Sequence, residues 1–432
     1  MDENATKPID EPRSFDVAQL FFSTTDLKGI ITGCNDVFVD IAAFTSEELL
    51  KQPHSIIRHP DMPRAVFSLL WEYLLSGRPI GAYVKNMAKT GEHYWVFALV
   101  MPIEDGFLSI RLKPTSPIMD TVKDLYQELS QLERQPGNEG RKGMEAAGAV
   151  LGERLSELGF ESYDDFMAVA LRSEIKAREE ALKADPKPGG EPSLAKELFA
   201  DLDGLIELRA LLLTKRKYFD QLGFEITKVA LNSSVAAARL SEEGRALGVI
   251  SEEVSLVSLK IQAEAEKLNS EVELLSGILN GTSFLIAFCV LIEEMKCYYR
   301  RSTNDSDMNG EQQVAAYGAR FEDLAGILDQ NHDLILSKCI ENIQSLRSSL
   351  VRFERFNAAL AKVLLSLQLG YVTGKSLSAQ IDEGGQFTTL LENMKKLSDE
   401  ARRELGALEQ SVKSAKNTVQ SWKSASLSAT CP

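Results

Sequence analysis

The sequence predicts two folds in one chain. The first is an α+β unit, an antiparallel sheet with flanking helices. The second is an all-α elongated helical hairpin or coiled-coil bundle. Three observations carry this reading. Residues 18–116 are rich in aromatics and turns, with short β-type runs. From about residue 118 onward Leu, Ala, Glu, Lys and Ser dominate and proline nearly disappears, which is helical composition. One long segment then keeps apolar residues at alternating steps of three and four, the seam of a coiled coil.

Bulk properties narrow the function classes. A chain of 432 residues is too long for one ordinary domain. The formal net charge of -15 argues against nucleic acid or an anionic lipid surface as partner, because both would be repelled. Five scattered cysteines with no CxxC pair fit a reduced cytoplasm better than a disulfide framework. The start, MDENATKPIDEPRSF, has no basic segment followed by an apolar run, so no signal peptide is expected. The apolar run from Phe284 to Ile292 is shorter than the roughly 20 residues a membrane-spanning helix needs. It reads as a buried helical segment, and the expected chain is cytoplasmic with no transmembrane span.

Element by element, residues 1–17 read as a disordered tail and residues 18–116 as the sensor unit. LFFSTTDLKGIITGCNDVFVDI gives short strands broken by Asp-Leu-Lys-Gly and Gly-Cys-Asn-Asp turns. Thr45 followed by Glu48 is a capping box at a helix start. Pro63 to Leu75 is amphipathic at helical spacing. GAYVKNMA, HYWVFALVMPI and FLSIRLKP read as three further strands, joined through Lys89–Glu92 and Glu104–Gly106. Residues 117–192 read as connecting helices with loops at 136–146 and 185–193.

Residues 193–300 read as an antiparallel helical hairpin with its tip near 241–245. The seam runs through Leu247, Ile250, Val254, Val257, Ile261, Ala265, Leu268, Val272, Leu275 and Leu279. Gly244 can supply the positive φ of a helix reversal. An ordinary bundle hairpin predicts the same seam. Arg301–Gly310 is a polar break, and residues 311–428 read as a C-terminal segment completing the bundle. Within it LGYVTG, residues 369–374, reads as a turn between two helices, and Glu383–Phe387 as a helix-capping loop.

The chemistry concentrates in SIIRHPDMP, residues 55–63, which crowds Arg58, His59 and Asp61 around Pro60. Three of the four histidines, His54, His59 and His93, fall in this region. Their spacing matches no zinc pattern and no cysteine is nearby. A hydrolase-like triad from His59 and Asp61 is disfavoured, because adjacent-but-one residues on a proline-flanked turn rarely face each other. Haem ligation by one histidine, and a Pro-locked turn with an Arg58–Asp61 salt bridge, stay open from the residues alone.

The stretch from Phe224 to Val254, FEITKVALNSSVAAARLSEEGRALGVISEEV, resembles the signalling tip of methyl-accepting chemotaxis receptors. It keeps the Phe, the ALN, the AAR, the E-x-G-R and the final E-V of that tip in one ungapped register. The resemblance implies that the tip packs receptor dimers into trimers and docks a coupling protein and a histidine kinase. Carried over by position, it places Phe224 and Arg239 at the trimer contact. Glu242, Arg245, Val249 and Glu253 fall at the coupling surface. Ala236, Leu247 and Ser255 stand where the family has Glu, Phe and Arg, and Lys228 interrupts an apolar run.

The first region resembles the PAS domain of aerotaxis receptors. The matching motifs are STTDL at 23–27, ND-x-FV at 35–39, PHSIIRHPDMP at 53–63, VKN at 84–86 and HYWV at 93–96. That resemblance implies non-covalently bound FAD, with Arg58, His59, Asp61 and Asn86 at its site and Trp71 able to pack there. Ile80 stands where the family carries a flavin-contacting Trp.

Together these readings imply a non-enzymatic chemotaxis or aerotaxis receptor in the cytoplasm, associated with receptor arrays. The expected partners are a histidine kinase and a coupling protein. A homodimer, and from it a trimer of dimers, is expected because one hairpin buries its seam best in a four-helix bundle. Haem is the second cofactor choice. The alternative function is an adaptor or decoy that joins arrays without controlling the kinase. A flavin oxidoreductase would need a substrate pocket.

Overall fold

The computed structural model describes residues 7–184, 194–239, 245–305, 310–319, 321–381 and 385–429. Five strands and eleven α-helices follow in order. They begin with β1 (Phe21–Asp26), β2 (Ile31–Cys34), α1 (Asp36–Ala42), α2 (Ser46–Leu49) and a 3-10 turn over His54–Ile57. Next come α3 (Arg64–Leu75), β3 (Ile80–Met87), β4 (His93–Ile103) and β5 (Gly106–Leu112). Helices α4 (Ile118–Glu133), α5 (Arg141–Glu157), α6 (Tyr163–Ala184), α7 (Leu194–Ala238) and α8 (Arg245–Asp305) follow. The chain closes with α9 (Gly310–Tyr317), α10 (Phe321–Ile381) and α11 (Gln386–Ala429).

The chain divides into two compact units. One comprises Met1–Lys196 with Asn280–Cys339, and the other Glu197–Leu279 with Ile340–Pro432. These do not follow the boundaries the sequence suggests at residues 300 and 311. The reason lies in α8. Up to Leu279 its apolar residues form one seam, whereas Phe284 and Ile286–Ile292 are buried on all sides, so the helix changes from a bundle stripe to a core element. By length and composition α8 could cross a membrane, but 72% of its most apolar window is buried inside the protein.

In the first unit the sheet order is β2-β1-β5-β4-β3, with every pairing antiparallel. The Thr45 capping box forms as the sequence predicts: Thr45 Oγ1 accepts from Glu48 N and the Glu48 carboxylate accepts from Thr45 N. Every residue of β5 is buried. Its alternation explains why. Phe107, Ser109 and Arg111 point to a cavity under α3, while Leu108, Ile110 and Leu112 lie on the opposite face. That opposite face is covered by later helices. Gly81 in β3 lies against Met167 of α6, Tyr83 Oη donates to the buried Glu174 at 2.7 Å, and Phe22 meets Tyr299 of α8 edge-on at 5.4 Å.

Two local expectations are corrected here. Residues 1–17 are not a disordered tail throughout: Ile9 N donates to Gly91 O, His93 N to Glu11 O and Arg13 N to His93 O, and Phe15 is buried. This backbone pairing, running on from β4, fixes the segment. The loop expected at 136–146 is shorter, since α5 already begins at Arg141. The loop expected at 185–193 lies outside the described residues.

The second unit is a four-helix bundle made of two antiparallel hairpins. Along α7 and α8, Thr227 meets Ser258 and Arg209 meets Ser276, so partner numbers fall as α7 numbers rise. Helices α10 and α11 repeat the pattern, with Lys375 on Glu392 and Glu354 on Lys416. Asp201 accepts from Trp422 Nε1 at 2.8 Å, Glu271 pairs with Arg352 at 2.6 Å, and Phe219 meets Phe356, so the hairpins close on each other. All ten predicted seam residues are buried at 5% exposure or less. Residues 369–374 are not a turn, because α10 runs through them. Their glycines serve close packing instead: a Cβ on Gly374 would meet Leu391 at 2.9 Å. The reversal falls between Ile381 and Gln386, where Gly385 has φ +65°. The chain thus supplies in cis the second hairpin for which a homodimer is expected.

Candidate functional site

A cavity of about 250 Å³ lies between the sheet and α3. The turn after β1 forms one lip. Asp26 Oδ1 accepts from Lys28 N and Ile30 N, and Gly29 takes φ +78°. Any Cβ at Gly29 would also press on Trp71 at 3.2 Å, so glycine is required twice over. Trp71 and Phe107 form an aromatic wall, edge to face at 5.7 Å. Val84, Ala98 and Val100 supply an apolar floor.

The polar groups converge on this apolar frame. Arg111 is 5% exposed in the central strand and lines the cavity. Its guanidinium donates to Ser23 Oγ at 3.1 Å and stands 2.6 Å from His54 Nε2. Burial lowers its pKa to about 10. The His54 pKa lies well below its ordinary value, first through burial and then through the Arg111 cation, so the ring is neutral. A neutral ring accepting at Nε2 carries its proton on Nδ1. It also stacks on Phe38, with rings 8° from parallel. Asn86 Nδ2 and Ser109 Oγ are buried on the cavity wall and have no hydrogen-bond partner. Orphaned polar atoms are uncommon in native interiors and call for an explanation.

The structure divides the residues that sequence reasoning grouped. Arg58, Trp71 and Asn86 line the cavity. Arg58 is bridged to Asn86 through the backbone, and its guanidinium lies 3.9 Å over the Phe67 ring. His59 and Asp61 are not among the lining residues. His59 is 3% exposed, and its Nδ1 accepts from Asp61 N. Burial, then the Lys85 cation, pushes its pKa down to about 4. Asp61 is half-exposed and pairs with Arg134 at 2.9 Å and Lys85 at 3.2 Å, in place of the Arg58 bridge open from the sequence. Burial would raise its carboxyl pKa, but hydrogen bonds from Arg134 and Lys85 hold it below the ordinary value. Ile80 is buried and paired with Val100, and it too is not among the lining residues. Among the described residues no three His, Cys, Asp or Glu side chains gather as metal ligands would.

Arg111, His54 and Ser109 escaped the sequence reading. The signal was present in FLSIRLK, where Ser and Arg alternate with Leu and Ile in a strand apolar enough to be buried on both faces.

In the bundle, Phe224 and Val249 are 59% and 65% exposed, and Arg239, Arg245 and Glu253 are exposed. Lys228 Nζ stands 4.4 Å over the Phe224 ring, which gives that interrupting cation a place. Glu242 lies outside the described residues.

Residues 31–108 match the PAS fold family (PAS_3). The chain is 43% identical over 113 residues to the aerotaxis receptor of Escherichia coli strain K12, covering 25% of this chain and 22% of the receptor. It thus spans about a fifth of that relative's length. Solved structures with likeness include a PAS domain from Colwellia psychrerythraea, at 20% identity and TM-score 0.20, covering 22% of this chain and 86% of that one. A Rhodobacter sphaeroides LOV protein follows at 13% identity and TM-score 0.22, covering 34% and 89%. On the family match and the five-stranded antiparallel sheet, the first unit carries a PAS domain, similar over that region to the aerotaxis receptor.

Proposed function

We propose that this chain is a signal-transduction receptor of the aerotaxis type. Its PAS cavity holds the ring system of FAD and senses redox, oxygen or energy state. The observation that carries the reading is the cavity's donor set: Arg111, Asn86 Nδ2 and Ser109 Oγ face an aromatic wall of Trp71 and Phe107. A planar heteroaromatic ring with hydrogen-bonding edges fits that chemistry. At about 250 Å³ the cavity is smaller than the ~300–1,000 Å³ that encloses a whole drug-sized ligand. It suits the ring and leaves the rest of the dinucleotide outside, where Lys28 and Arg58 on the cavity wall can meet phosphate. The bound flavin would supply the redox change. The protein's part is to orient the ring, exclude water and pass the change to the loop of Arg58 and Asp61. The exposed Phe224, Arg239, Arg245, Val249 and Glu253 support an output through a coupling protein to a histidine kinase.

The test is the visible absorption spectrum of the purified full-length protein. Flavin bands, with flavin released on denaturation, are expected. A protein that stays colourless after incubation with FAD overturns the flavin reading, and a Soret band replaces it with haem.

One observation favours the adaptor as a second reading. The bundle pairs the receptor-like hairpin with a hairpin of different sequence from the same chain, where a receptor dimer would pair two like ones. A kinase assay with coupling protein separates the two. A controlling receptor changes kinase activity and loses the effect on Arg239→Ala, whereas an adaptor leaves activity unchanged.

A further inference from the structure

Arg111 is the least satisfied strong group in the sensor unit. A guanidinium offers five N–H donors. The structure shows two polar partners, Ser23 Oγ and His54 Nε2, both neutral acceptors. Among the described residues no Asp or Glu carboxylate forms an ion pair with it, and the aromatic face nearest it, Phe38, is 5.6 Å away. Buried charges are ordinarily paired or ligand-bound. By contrast, the buried Arg178 pairs with Glu294 at 2.6 Å and two backbone carbonyls, as a purely structural arginine does.

The surroundings of Arg111 are built to aim it. His54, neutral and stacked on Phe38, holds one amino group, and Ser23 holds the other. Ser109 stands two residues before Arg111 on the same strand face, and its orphaned Oγ lines the same cavity. Asn86, 3% exposed, adds an orphaned Nδ2 from the opposite side of the sheet.

We propose that Arg111 is the anion pole of the cavity: it seats a planar heteroaromatic ligand by an electron-rich or anionic acceptor edge, with Ser109 and Asn86 completing the edge contacts. This deepens the flavin reading. For a flavin the edge is N1–C2=O, where negative charge collects when the ring accepts electrons. An aromatic carboxylate carries the same chemistry without redox activity.

The experiment has two arms on the full-length protein and its Arg111→Met and Arg111→Lys variants. In the first, protein loaded with FAD is desalted and titrated with sulfite, following loss of the visible flavin band. The sulfite sulfur lone pair forms a bond to N5, the N5=C4a electrons move to N1–C2=O, and nothing leaves, so the adduct reports charge stabilisation at that edge. Losing a charge-assisted contact should weaken sulfite binding by about ten- to a hundredfold in R111M, with R111K between. A folded R111M that retains no flavin supports the proposal equally. Unchanged sulfite affinity in an R111M that retains flavin overturns it while leaving the flavin reading intact. If R111M does not fold, R111K decides by the same measure.

In the second arm, thermal shifts with benzoate and benzamide are compared. Should the wild type take no flavin, stabilisation by benzoate over benzamide that is lost in R111M keeps the anion pole and overturns the flavin reading. Neither flavin nor benzoate binding overturns both.

Discussion

Glu133, the last residue of α4, caps the start of α3: its carboxylate accepts from Arg64 N at 2.9 Å and from Ala65 N at 2.8 Å. The adjacent Arg134 donates to Asp61 Oδ1 and Pro60 O. One helix end thereby holds both the cavity loop and the helix that follows it. Free N–H groups and the helix dipole make a carboxylate favourable there. Glu133→Ala should cost about 1–3 kcal/mol of sensor stability, read from urea unfolding. A change below about 0.5 kcal/mol would mean that the cap contributes little.

The His59 ring makes stability depend on pH. Its folded pKa is about 4, against an ordinary value near 6.5. Above pH 6.5 the ring is neutral folded or unfolded. Between 6.5 and 4 the unfolded chain binds the extra proton, so stability should fall as pH falls. The loss reaches about 3 kcal/mol by pH 4, at ~1.4 kcal/mol per unit. His54 acts in the same direction. Melting temperatures of wild type and His59→Asn from pH 8 to 4 check this, and the variant should show the shallower decline.

Trp71 lines the cavity, whereas Trp422 is buried in the bundle. Ligand in the cavity should therefore change the emission of Trp71. Titrating FAD into wild type and Trp71→Phe, the variant should lose most of the quenching. Equal quenching in both would place the ligand elsewhere.

Two glycines in α10 should respond in opposite ways. A Cβ at Gly370 meets its nearest neighbour, Val254, at 4.0 Å, so Gly370→Ala gains helix propensity and should stabilise by about 0.5–1 kcal/mol. Gly374 lies against Leu391 and Ile250, so Gly374→Val overpacks the bundle and should cost about 1–3 kcal/mol. Helical unfolding followed by circular dichroism measures both.

The candidate site was legible where function leaves a local mark. SIIRHPDMP and Asn86 drew attention by residue type, and Arg58, Asn86 and Trp71 do line the cavity. His59 and Asp61 belong to the same short loop, yet they turn away to Lys85 and Arg134. Three residues on a tight turn cannot all face one side, and which of them do depends on partners far along the chain.

The sequence by itself determined the PAS sheet, the capping box at Thr45 and the ten-residue seam of α8, because each rests on a local period or a local cap. Only the tertiary structure decided that Arg111 is a cavity residue and that residues 369–374 continue a helix. It alone decided that residues 340–429 close the bundle in cis. The physical reason is common to all three. An Arg in a strand, a Gly in a helix and an apolar stripe each have several low-energy uses. The partner brought from a distant part of the chain selects one: His54 for Arg111, Leu391 for Gly374, and the second hairpin for the seam.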